Sequence, residues 1–156
     1  MRQWKEPAQI AWFTLFAILL YFMTGMVLTT LGLPSHTLER VETIKSIDVP
    51  ANLFINICYP FVTTIAAIWF PMILIHWIKK PLNIQMVFAG AVFALLHIKL
   101  GPAEMIQKFM VGWLLAACFV FCNRDNWTKA YRVTSISHAL FNVFLLFFYL
   151  LIRLLT

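Results

Sequence analysis

Ser137-His138-Ala139-Leu140-Phe141-Asn142 sets an imidazole and a carboxamide four residues apart inside the last apolar run of the chain. On a helix these two side chains stack on one face. An ionisable side chain in an apolar span is costly, and it faces a protein interior or a wet cavity. His97, closing Phe93-Ala94-Leu95-Leu96-His97, sits comparably. Two chemistries suit such a pair. Hydrogen bonding between helices would satisfy them structurally. By ligand type, His97, His138 and Glu104 could also hold a metal ion, although no metal-binding spacing links them. A cofactor is not expected, and the metal is left open. Taken alone, His97 reads more simply as an interfacial or hydrogen-bonded residue at a helix end, and Glu104 as an acid favoured in a first helical turn.

The elements that must carry these residues are membrane helices. Of 156 residues, 62% are hydrophobic and 12% charged, against about half and a quarter in soluble domains. Five apolar runs approach the roughly 17 to 25 residues of a bilayer span: 10–33, 53–77, 82–98, 105–122 and 133–152. The fold class is therefore an all-α polytopic membrane bundle of about five transmembrane helices, one membrane domain over 1–156. The first run is too long for the apolar core of a cleaved signal and is read as an anchor. The net charge of +6 is spread beside the spans, which gives no nucleic-acid patch. Arg2, Lys5, Lys79, Lys80, Arg124, Lys129 and Arg132 outnumber Arg40, Lys45, Lys99, Lys108 and Arg153. The bias puts the N-terminus in the cytoplasm and the C-terminus outside.

Several stretches carry local expectations. Pro60 and Pro71 should bend the second run. Its polar outer half, with Asn56, Tyr59 and Thr63, lines a cavity or hydrogen-bonds between helices. Thr37 to Ile44 spaces apolar residues by three, as in a short helix lying on the interface, and His36 reads as a solvated loop residue. Cys118 and Cys122 read as packing residues on one helix face, or less simply as a metal or redox pair. Depth poses a problem. At 1.5 Å per residue, His97 lies roughly 22 Å into its run and His138 about 8 Å into its own. The two meet if the last helix begins lower in the membrane than its apolar run, or if the third helix tilts or starts deeper.

Phe93-x-x-x-His97, then Phe109-x-x-Gly112, then His138-x-x-x-Asn142, in three successive runs, resembles the CPBP family. These are the CAAX-type and bacteriocin-processing (Abi) intramembrane peptidases. The resemblance covers about 53–152. It implies a helical core in a bacterial or archaeal cytoplasmic membrane, with Phe93 lining a substrate cavity. It also implies that His97 positions water while His138 and Asn142 stabilise the oxyanion. The family's paired glutamates are missing, since Cys58-Tyr59-Pro60-Phe61-Val62-Thr63 stands where they would fall. Hydrolysis of a peptide bond needs a base for water as well as an oxyanion stabiliser. The leading expectation is therefore a degenerate relative that binds a partner's transmembrane or lipidated segment without cutting it. One alternative is an active intramembrane peptidase with a relocated acid, Glu104, or a metal. The other is a structural or oligomeric membrane subunit of the immunity, exclusion or channel type. Expected partners are membrane lipid and another membrane protein or hydrophobic peptide, with self-association left open.

Overall fold

A computed structural model describes residues 5–33, 49–122 and 126–155. The expected interfacial helix over 37–44 and the loop residue His36 lie outside these, as do Asn123, Arg124 and Asp125. The regular structure within them is helical. Helix α1 spans Glu6–Thr30 and α2 spans Val49–Thr64. A π-helical turn over Ile65–Trp69 leads from α2 into α3, Phe70–Trp77. Then follow α4 (Leu82–Leu95), a 3-10 turn (Ile98–Leu100), α5 (Pro102–Cys122) and α6 (Trp127–Leu155). Four helical segments are long and apolar enough to cross a membrane: α1, the joined α2–α3, α5 and α6. The protein is a small integral membrane protein.

The π turn is the bend expected at Pro71. A proline ring crowds the carbonyl four residues back, which is that of Ala67. Opening one turn of helix to five-residue bonds, here Phe70 N–H to the Ile65 oxygen, relieves the clash.

The third run does not form a full span. Helix α4 has 14 residues, a rise of about 21 Å against a hydrocarbon core of roughly 30 Å. It stops at Leu95, and His97 caps the 3-10 turn instead of sitting inside a helix. Gly101, at φ 88, reverses the chain in a conformation open to glycine, and Pro102 starts α5. Leu96, Ile98 and Leu100 keep this turn apolar, so hydropathy alone does not register the break.

Lipid offers no hydrophobic force between helices, so close van der Waals approach and polar contacts must hold them together. The tightest approach joins α4 to α5. A Cβ on Gly112 would lie 2.6 Å from the Phe93 Cβ, and one on Gly90 would lie 3.0 Å from the Trp113 backbone nitrogen. Helix α6 runs antiparallel to α5, as Trp127 against Phe119 and Thr134 against Cys118 show. It runs parallel to α1, with Arg132 on Glu6 and Phe148 on Phe22.

Gly112→Val should cost about 1–3 kcal/mol through overpacking against Phe93, read as a lower melting temperature of the detergent-solubilised protein. Gly25→Ala should cost less, because the atom it meets is the end of the flexible Gln107 side chain.

Candidate functional site

Helix α6 begins at Trp127, six residues before its apolar run. Asn126 sets that start, its side-chain oxygen accepting the Lys129 N–H at 3.0 Å, as an N-cap residue does. His138 therefore lies about 16 Å along α6, and Phe93 lies about 16 Å along α4 by the same rise. Both helices run antiparallel to α5, so the two motifs meet at one depth.

They meet on Phe93. Its ring centroid is 5.0 Å from that of His97 and 5.2 Å from that of His138. The short side of the contact is Gly112, whose missing side chain leaves room for the phenylalanine. His97 Nδ1–H donates to the Phe93 carbonyl oxygen at 2.8 Å. A carbonyl only accepts, so the proton sits on Nδ1 and a neutral His97 presents Nε2 as an acceptor. His138 is buried, and its Nδ1 has no hydrogen-bond partner among the described residues. Asn142 follows one turn along α6, half-buried.

Glu104 is fully buried instead of standing at a solvated helix start. The Tyr21 hydroxyl donates to its Oε1 at 3.3 Å and lies 3.0 Å from the Tyr149 hydroxyl. With the Tyr21 proton directed at Glu104, Tyr149 donates to Tyr21, forming a three-residue hydrogen-bonded chain. Lys108, counted from the sequence among the outer charges, is also buried. Its ammonium lies 5.3 Å from the Tyr21 ring centroid and 5.6 Å from that of Phe141, within cation–π range. Gln107 Nε2 donates to the Tyr21 backbone oxygen at 3.2 Å. Glu104, Lys108 and Gly112 recur every four residues on one face of α5, so Glu104 lies about 12 Å along the helix from the Phe93 contact.

The polar residues of α2 turn to their own helix. Asn56 donates to the Asn52 oxygen, and Thr63, buried, donates to the Tyr59 and Pro60 oxygens. Tyr59 is half exposed. Cys118 and Cys122 are buried, and Thr134 Oγ1 donates to the Cys118 sulfur at 3.6 Å. Among the described residues no three His, Cys, Asp or Glu side chains gather as metal ligands would.

Sequence reading missed Tyr21, Gln107, Lys108 and Tyr149 as members of this cluster. The available signal was Glu104, Gln107 and Lys108 at helical spacing on one face. No protein-family model matches the chain, and neither a curated protein nor a solved structure matches it significantly.

With Cys58, Cys118 and Cys122 replaced and cysteines placed at 97 and 138, a short bifunctional thiol reagent should join the two positions in membranes. The absence of any cross-link would place the motifs at different depths and dissolve the site.

Proposed function

We propose that this membrane bundle is a non-hydrolytic relative of the CPBP peptidases, one that binds a transmembrane or lipidated segment of another molecule. One observation carries the reading. Two histidines, one at the turn that follows α4 and one on α6, close on one phenylalanine, whereas Glu104, the buried acid among the described residues, is engaged by Tyr21. A general base must reach the water it activates within hydrogen-bond distance or through one water. The Tyr21 hydroxyl engages Glu104 Oε1, which favours binding at the histidine pair over activation of water by this acid. The burial of Glu104 supports a second reading, an active peptidase in which the segment's arrival draws the acid toward the histidines.

The protein in nanodiscs should bind a farnesylated CAAX-type peptide or a model transmembrane peptide. It should release no product above the background of the His97→Ala/His138→Ala double variant, while His138→Ala should weaken binding several-fold. Histidine-dependent cleavage would overturn the reading, and its loss in Glu104→Gln would establish the second one.

The orientation belongs to the same proposal. With Lys108 inside the bundle, the outer side retains Arg40, Lys45, Lys99 and Arg153, which sharpens the positive-inside bias of the other side. A periplasm-dependent reporter such as alkaline phosphatase should be active when fused after Thr156 and inactive when fused before Met1. The reverse pattern would invert the topology.

A further inference from the structure

At the inner end of α1, where it packs on α5, lies a groove that neither the histidine pair nor the buried charges line. It has a volume of about 320 Å³ and is lined by Gln9, Trp12, Phe13 and Phe16 of α1 and by Phe121 of α5. That is the low end of the roughly 300–1,000 Å³ of ligand pockets. The Phe13 and Phe121 rings meet edge-on at 5.9 Å across the seam, and Trp12 and Phe16 lie 5.7 Å apart along α1. Trp12, Phe16 and Phe121 are half-exposed or more, so the groove opens sideways toward lipid. Gln9 to Phe16 covers about 10 Å of helix, within the roughly 15 Å of hydrocarbon that one leaflet supplies.

One end of this groove is polar and positively charged. Gln9 is buried, and its side-chain oxygen has no hydrogen-bond partner among the described residues. One turn earlier on the same face of α1 stands Lys5, exposed at the N-cap. The paired hydrogen bonds of Arg132 to Glu6 tie the start of α6 to the start of α1. Lys129, three residues before Arg132 and partly exposed, shares its helix face and is carried to the same end. It lies near enough to Cys122, the neighbour of Phe121, to act on that side chain electrostatically. Because Arg132 neutralises Glu6, the charges of Lys5 and Lys129 leave this mouth with a positive balance.

We infer that this groove holds one acyl chain of an anionic phospholipid from the leaflet at the Lys5 end, with the lipid phosphate on Lys5 and Lys129. Any chain can cover apolar rings in a bilayer, so selectivity has to come from the head group. Two lysines beside a neutralised acid favour a lipid of net negative charge over a zwitterion, whose ammonium they repel. Gln9 stands where head group and chain join, and a lipid hydroxyl at that level supplies the donor its oxygen lacks. The orientation proposed above puts this end in the leaflet where anionic lipids concentrate. The site is separate from binding at the histidines, because Phe121 lies about 13 Å along α5 from Gly112, the residue that seats Phe93.

The test offers the full chain, purified in detergent, equal amounts of phosphatidylglycerol and phosphatidylcholine with the same acyl chains. Retained lipid is counted by native mass spectrometry. Phosphatidylglycerol should be retained at least about fivefold over phosphatidylcholine, the scale of one basic residue at an anionic surface. Lys5→Gln/Lys129→Gln should abolish that preference. Lys79→Gln/Lys80→Gln, on the turn after α3 at the same end of the bundle, should leave it intact. In nanodiscs, phosphatidylglycerol carrying a mid-chain diazirine should label Trp12, Phe16 or Phe121 on irradiation. Equal retention of the two lipids, or equal loss of preference in both lysine pairs, would overturn the site. So would labelling spread evenly over the spanning helices.

Discussion

A carboxylate and an ammonium removed from water into a bilayer-level bundle are costly unless the protein answers both charges. Among the described residues this bundle buries one of each, Glu104 and Lys108, a turn apart on α5. Much of the architecture follows from answering them. Tyr21 serves both, its hydroxyl on the acid and its ring face beneath the cation. Phe141 supplies a second ring to Lys108, and Tyr149 supplies the proton that completes Tyr21's hydrogen bonding. Two of these aromatic residues come from α6 and one from α1. The charges therefore dictate which faces of those helices turn inward.

The histidine pair depends on a different constraint, the space left by a missing side chain. Phe93 stands where a Cβ on Gly112 would be, and from there it reaches both imidazoles. The end of α4 matters as much. Because the helix gives way to a 3-10 turn at His97, the imidazole folds back to cap the Phe93 carbonyl. A carbonyl at a helix end otherwise lacks an intrahelical partner. The same interaction thus finishes a helix and fixes the tautomer of a candidate site residue.

These two clusters are joined through α5, whose inner face carries Glu104, Lys108 and Gly112 at four-residue intervals. A shift of α5 along its axis would move the charges and the Phe93 seat together. The close packing at Gly90 and Gly112 opposes such a shift. Among the membrane-length helices α1 is the least buried, and both polar clasps and ring contacts, Phe13 on Phe121 and Phe22 on Phe148, hold it along its length. It covers the buried charges, with Tyr21 in the same core cluster as Phe93 and Val111.

The sequence by itself determined the class of fold. Backbone groups in lipid are satisfied in helices or closed barrels, and unbroken apolar runs of about 20 residues suit the helix and not the shorter spanning strand. The sequence also singled out His97 and His138, because an ionisable group in an apolar run stands out against its neighbours, and Glu104 as the acid just before the fourth run; Lys108, inside that run, reads as an outer charge. It did not determine where helices start and stop, since membrane helices extend past their apolar runs and turns can be as apolar as the helices they join. The six residues between Trp127 and Val133, and the break at Leu95, decide whether the histidines meet. Asn126 as a cap and Gly101-Pro102 as a turn were local signs of both boundaries. Only the tertiary structure decided that Lys108 belongs inside and that Tyr21 and Tyr149 belong with Glu104. Partners separated by 83 and 128 residues in the chain leave no periodic trace, because which faces meet is settled by packing between helices and not within one.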